Sequence, residues 1–357
     1  MDTNQTSPDF LRMSLAAAMS LDLRPGLFYR DARLHCLNLL LTYPGGCRAN
    51  CSYCGLSRDA SSNGAENFIR VEWPCFSMDE ILTRTLARAD RFERICLSMI
   101  MHSSAVEDTI ELIGRIHGEV DLPVSVLVNP STLQDGDLVA FYDAGADMAA
   151  VAIDAATENL FVEHRGEGVR GGHKWDRYWN TLEDAALTFG DGNTGVHLIA
   201  GLGETEQEMI GAIQRAHLLG SRTHLFSFYP ERGSSLGNAV PCSAGHFRRI
   251  QLARFLIDCN IAIANQMEFD DLGRLSSFGI RGAKLDAIVE SGDPFMTSGC
   301  PGRTLSCACN RPFGDGPPSD IRSYPFRLED DDIQLVRKQL ATYMDVSRPL
   351  ESIIAPG

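Results

Sequence analysis

No run of about 18 apolar residues occurs in the 357-residue chain, so no stretch reads as a membrane-spanning helix. The basic-then-apolar order of a secretion signal is also missing, since residues 1–10 are polar and acidic. Together these absences predict a cytoplasmic protein that does not act on a membrane. Positive charge is scarce as well: 32 Lys and Arg stand against 47 Asp and Glu, for a formal charge of −15. A phosphate-rich partner draws its affinity largely from Lys and Arg, so nucleic acid is not an expected partner. The rest of the composition, 44% hydrophobic and 22% charged, is that of a globular enzyme able to bury one large core or two small ones. Cysteine, by contrast, is plentiful at eleven. In a reducing compartment, eleven cysteines point to metal ligation and free thiols rather than a disulfide frame.

Three of them stand in C-x3-C-x2-C spacing within residues 43–58, Y-P-G-G-C-R-A-N-C-S-Y-C-G-L-S-R, as Cys47, Cys51 and Cys54. Three thiolates on a [4Fe–4S] cluster leave one iron open to a substrate or cofactor, whereas a structural zinc closes all four positions. A zinc loop with a remote fourth ligand, or unpaired thiols, are the plainer alternatives. With the aromatic Tyr53 between the second and third cysteines, the stretch closely resembles the radical S-adenosylmethionine (radical SAM) superfamily. That resemblance implies a cluster whose open iron chelates the methionyl amine and carboxylate of S-adenosyl-L-methionine.

The surrounding pattern is α/β. Residues 35–41 form a short apolar run that predicts a buried strand feeding the cysteine loop, with Cys36 as a core residue. Further strands are predicted at residues 95–101, 124–129, 148–154, 195–200 and 224–229. Helical patterns lie at residues 77–89, 106–117, 133–144, 175–188, 206–219 and 247–259. Such alternation predicts a parallel sheet with right-handed crossovers, here an open or nearly closed (β/α) barrel with its chemistry at the strand C-termini. Residues 1–32 read as a capping segment with a helix around residues 11–21, residues 33–290 as the barrel, and residues 291–357 as an irregular C-terminal iron–sulfur segment with a terminal helix. The acidic run at residues 329–332 reads as the solvated start of that helix.

A second informative stretch, T-G-V-H-L-I-A-G-L-G-E-T-E-Q-E at residues 194–208, is an apolar strand, a glycine-rich turn and a helix start capped by Thr205. Its place after the cysteine loop resembles the corresponding segment of biotin synthase and lipoyl synthase. The resemblance implies that Leu198, Ile199 and Gly201 lie along the adenosine of the cofactor. Residues 148–157 and the following His164-Arg165 resemble the fourth strand of those synthases. Asp154 is then a candidate cofactor contact and Arg165 a partner for the methionyl carboxylate, the alternatives being a helix-capping Asp and a surface Arg. The Gly-Gly-Glu that many radical SAM enzymes use for the methionyl amine is absent, as it is in biotin and lipoyl synthases. Residues 98–104 occupy its place, with Ser103 as a candidate donor.

Cys300, Cys307 and Cys309 are concentrated among glycines and prolines in the tail. A segment so poor in apolar area would gain folding energy from a metal centre, either zinc with a remote histidine or a second iron–sulfur cluster, with free thiols as the plainer alternative. Arg322-Ser323-Tyr324 resembles the Arg-Ser-Ser-Tyr of lipoyl synthases, whose serine oxygen binds an iron of an auxiliary cluster, which implies Ser323 as the fourth ligand. Ordinary lipoyl synthases carry the auxiliary cysteines at the N-terminus. The tail placement is most similar to the two-protein lipoyl synthases of archaea and sulfur-oxidising bacteria. The resemblance implies two [4Fe–4S] clusters, S-adenosyl-L-methionine, and sulfur insertion at C6 or C8 of an octanoyl chain on a lipoyl-carrier protein. Implied partners are that carrier, a ferredoxin or flavodoxin reductant and a second radical SAM lipoyl synthase protein. The alternative is a biotin synthase-like or maturase-type radical SAM enzyme whose second cluster is not a sulfur donor.

Overall fold

The computed structural model describes residues 5–61, 67–68, 70–313 and 316–343. The rest of the 291–357 segment and part of the 61–64 stretch lie outside the described residues. Six parallel strands carry the architecture: β1 Cys36–Leu41, β2 Arg94–Ser98, β3 Val124–Val128, β4 Met148–Asp154, β5 Thr194–Ala200 and β6 Ser221–Ser227. All six sit where the apolar runs predict them, because a strand buried on both faces needs an unbroken apolar stretch rather than alternation. They are hydrogen-bonded in chain order, with helices between them such as Ala105–Glu119, Trp175–Phe189 and Glu206–Leu218. The expected (β/α) barrel is present and it is open, with β6 at one edge of an eight-stranded sheet.

The other two strands correct the N-terminal expectation. Residues 11–21 are not one helix: Phe10–Met13 is a strand, and only Leu15–Ser20 is helical, capped by the Ser14 hydroxyl. The strand runs antiparallel between β1 and Cys75–Ser77, pairing Leu11 with Leu41 and Phe76. Local helix propensity lost there to non-local pairing, since burying Leu11 and Met13 on the sheet satisfies their backbone as well. A smaller correction concerns residues 329–332. Asp330–Leu340 is a helix with an acidic first turn, but Asp332 is buried rather than solvated, and both its oxygens take the Arg30 guanidinium at 2.6 and 3.1 Å.

Alternation along each strand decides what the barrel interior contains. Inward positions include Asn38 and Leu40 of β1, Cys96 and Ser98 of β2, Ala150, Ala152 and Asp154 of β4, and His197 and Ile199 of β5. They line one cavity of about 270 Å³. The tail closes the barrel at the strand N-termini. Thr304 donates to Glu93, Arg303 to the Asp121 carbonyl, Asn310 to the Arg33 carbonyl, and the Ser298 hydroxyl accepts from the Leu225 amide. Those partners sit on or beside four different barrel strands, so the irregular segment is tied down as a floor.

Candidate active site

The cysteine loop leaves β1 at the open end of the barrel. Gly45 and Gly46 both have positive φ, 83° and 68°, and turn the chain back over the strand ends. The Arg48 amide donates to the Met101 carbonyl at 2.9 Å, and the Met101 amide returns a bond to the Cys47 sulfur at 3.4 Å. The Leu56 amide points at the Cys54 sulfur at the same distance. Cys47, Cys51 and Cys54 all line the cavity, and none is in a disulfide. Burial pushes all three thiols up, the Cys54 thiol well above its ordinary value, so the apoprotein holds them uncharged. Thiols become thiolates once a metal centre binds them, which is what an iron–sulfur cluster supplies.

Around the loop is a buried polar frame. The Ser52 hydroxyl lies 2.9 Å from His164 Nδ1, and His164 Nε2 donates to the Leu202 carbonyl at 3.0 Å, so one imidazole joins the cysteine loop to the glycine turn after β5. The Tyr53 hydroxyl donates to Asp154 Oδ2 at 2.5 Å. Asp154 occupies a bulge in β4 with φ of 65°, which re-aims its carboxylate into the cavity. Arg165 is 5% exposed and pairs with Asp154 at 3.1 Å. It also donates to the Ala152 and Ile153 carbonyls and lies against the faces of Phe161 and Tyr178. Its Nε is buried with no hydrogen-bond partner. That orphaned donor beside Cys51 suits an anionic group bound at the cysteine loop.

Of the residues expected at the cofactor, Tyr53, Asp154, Arg165 and Ile199 line the cavity together. Leu198 is buried, but alternation turns its side chain away from the cavity toward the helical layer. Ser103 is exposed on the turn after β2. Beside it, His102 stacks on Tyr43 with centroids 3.8 Å apart. Gly201 has φ of 102° and carries its amide to the Glu204 carboxylate.

Glu204 was not legible in the sequence as a site residue. Its two oxygens accept from the Gly201 and Leu202 amides at 2.6 and 2.9 Å, and His246, some forty residues on, holds it at 3.1 Å. The same imidazole faces Glu206 at 3.4 Å, itself paired with Arg249. Burial pulls His246 down, but the hydrogen bonds to Glu204 and Glu206 outweigh it and hold its pKa at about 9. The only local signal was the capping box of Thr205 and Glu208 in the helix that follows.

The tail cysteines divide. Cys300 and Cys309 are buried and line the floor of the same cavity; Cys307 is half-buried and does not. Ser323 is buried elsewhere: its oxygen accepts from Gln251 at 3.3 Å, and it lines an adjoining cavity with Tyr29 and Phe326. Among the described residues, no three His, Cys, Asp or Glu side chains are grouped tightly enough to hold a single metal ion.

Residues 41–216 match the radical SAM superfamily, and they contain the cysteine loop, β2 to β5 and the glycine turn. This part of the chain is a radical SAM domain. The domain's fold is shared with the solved maturase of the [FeFe]-hydrogenase, HydG, at 14% identity and a TM-score of 0.50, over 69% of this chain and 54% of that one. The methyltransferase TsrM from Kitasatospora setae is similar at 13% identity and a TM-score of 0.38, over 83% of this chain and 49% of its own. Coproporphyrinogen III oxidase (HemN) from Escherichia coli is similar at 12% identity and a TM-score of 0.35, over 61% and 49%. The chain therefore spans about half the length of these solved proteins. No curated protein matches the sequence. Among the described residues, no helix is long and apolar enough to cross a membrane.

Proposed function

We propose that the chain is a radical SAM sulfurtransferase of the lipoyl synthase type, inserting sulfur into an octanoyl chain carried by a lipoyl-carrier protein. The observation that carries this reading is the single cavity with cysteines at both ends: Cys47, Cys51 and Cys54 at the strand C-termini, Cys96, Cys300 and Cys309 at the floor. When bound at the upper thiols, a reduced [4Fe–4S] cluster with one open iron supplies the one-electron cleavage of S-adenosyl-L-methionine to methionine and a 5′-deoxyadenosyl radical. Every other contribution comes from the chain. Arg165, with its unpartnered Nε, and the Asp154–Tyr53 pair present charge and hydrogen bonds to the polar end of the cofactor. The adenosine would lie along Ile199, which lines the cavity just before the Gly201 turn that Glu204 fixes.

Between the two ends the walls are largely apolar, with Leu40, Met99, Leu127 and Phe226 facing inward. Such walls suit a hydrocarbon chain. Cys300 and Cys309 at the floor would hold a second iron–sulfur centre, which would supply the sulfur. The reductant would be a ferredoxin or flavodoxin, and a second radical SAM synthase protein would share the two insertions.

The test incubates anaerobically reconstituted protein with reductant, S-adenosyl-L-methionine and an octanoylated carrier peptide deuterated at C6 and C8. Deuterium in 5′-deoxyadenosine together with a sulfur-containing peptide is the expected result. Deoxyadenosine without sulfur in the peptide would overturn the reading.

A further inference from the structure

Four cysteines, not two, meet at the barrel floor. Cys36 begins β1 and Cys96 lies mid-way along β2, on the face that alternation turns inward, and Cys300 and Cys309 come from the tail that closes the strand N-termini. They form one buried group with Met148 and Ala308, and the four are 0%, 9%, 3% and 8% exposed. Donors are aimed at the sulfurs. The Asn38 amide reaches both Cys309 Sγ at 3.5 Å and Cys36 Sγ at 3.8 Å, and Arg311 Nη1 stands 3.9 Å from Cys309 Sγ. Arg94, 3% exposed, sits on the same floor, bonded to the Pro301 carbonyl and to Asp147.

We propose that Cys36, Cys96, Cys300 and Cys309, rather than Cys300, Cys307, Cys309 and Ser323, are the ligands of the second iron–sulfur cluster. The proposal rests on the reading above that a second cluster exists, and it changes who holds it. Iron–sulfur clusters take four cysteine thiolates, one to each corner, and their sulfurs are tuned by N–H donors of the kind Asn38 and Arg311 provide. Ordinary core packing explains buried thiols as small apolar groups, but not an amide and a guanidinium directed at them.

Cys307 and Ser323 stand apart from this group: Cys307 is half-buried and does not line the cavity, and Ser323 lines the adjoining cavity, where its oxygen accepts from Gln251 at 3.3 Å. With four thiolates no iron is open, so what the site can offer a radical in the cavity is a bridging sulfide.

The test uses a Cys47→Ala, Cys51→Ala, Cys54→Ala background, in which iron reports the second site alone. After anaerobic reconstitution this full-length background is expected to hold one cluster of about two or four irons, read by iron and sulfide analysis and Mössbauer spectroscopy. Adding Cys36→Ala or Cys96→Ala is expected to cut iron at least fivefold; adding Cys307→Ala or Ser323→Ala is expected to leave it unchanged. Full iron after Cys36→Ala and Cys96→Ala, loss of iron after Cys307→Ala or Ser323→Ala, or zinc in place of iron would each overturn the assignment. Circular dichroism melting of every variant guards against misfolding at Cys36 and Cys96, and the Cys307 and Ser323 arms stand whatever those two do. The pattern is read without substrate, so failed sulfur transfer with the pattern intact overturns the reaction and not the ligands.

Discussion

Replacing His246 with Gln is expected to flatten the alkaline side of the stability profile. The imidazole is clamped between Glu204 and Glu206 with its side chain 15% exposed, and its pKa rises from an ordinary 6.5 to about 9. A base whose folded pKa is raised contributes stability that is fully present below pH 6.5 and is lost as pH climbs through about 9. That interval corresponds to about 3 kcal/mol, at 1.36 kcal/mol per unit. Wild type and His246→Gln would be unfolded in urea, in the same cluster state, at pH 6.5 and 9.5, with the change in free energy compared. Thiols titrate in this window too, but they are common to both chains and drop out of the comparison. Wild type should lose on the order of 3 kcal/mol more than the variant across the interval. Parallel losses in the two chains would refute the clamp. Since Glu204 also holds the Gly201 and Leu202 amides, their hydrogen exchange should quicken in the variant.

On the acid side the sign reverses. Burial holds His173 near 2, His197 near 3 and His224 well below its ordinary value, so stability present above pH 6.5 should fall as pH drops toward those values, measured by the same urea titration. Arg165→Met leaves the Asp154 carboxylate buried without its cation and should cost about 3–5 kcal/mol of unfolding free energy. Asp154→Asn in the same chain should recover part of that, and a loss below about 1 kcal/mol would show that the pair is not held as described. Gly201→Ala puts a Cβ 2.5 Å from Cys242 Cβ and 3.0 Å from its Cα at a φ of 102°, so it should destabilise by about 1–3 kcal/mol and weaken S-adenosyl-L-methionine binding measured by calorimetry.

What the sequence made legible was local. The six barrel strands are short apolar runs bounded by turns, and Cys47, Cys51 and Cys54 share one loop, so their spacing with Tyr53 marks them as candidates. The Glu204 to His246 bond is invisible because its partners are distant in sequence, and the same is true of the strand at Phe10–Met13, whose pairing with Leu39 and Leu41 overrides its own helical pattern. Cys36 shows the limit best. An apolar stretch such as C-L-N-L-L-L gives the strand but not which alternate residues face inward, so a cysteine on the barrel floor reads as ordinary core. Even the register hint, Asn38 beside Cys96 and Cys36 beside Arg94, appears only once β1 and β2 are paired. The contact between Ser323 and Gln251, 72 positions apart, is likewise absent from the short tail likeness.

The central claim is that sulfur leaves a centre at the barrel floor and enters a hydrocarbon chain. Its most direct measurement is a single turnover of protein whose clusters were rebuilt with sulfide enriched in a heavy sulfur isotope, followed by mass spectrometry of the octanoylated carrier peptide. The account predicts heavy sulfur in the peptide from the wild-type chain and none from a Cys300→Ala, Cys309→Ala variant that still produces 5′-deoxyadenosine. Light sulfur, or no sulfur at all alongside abundant 5′-deoxyadenosine from the wild-type chain, would contradict it.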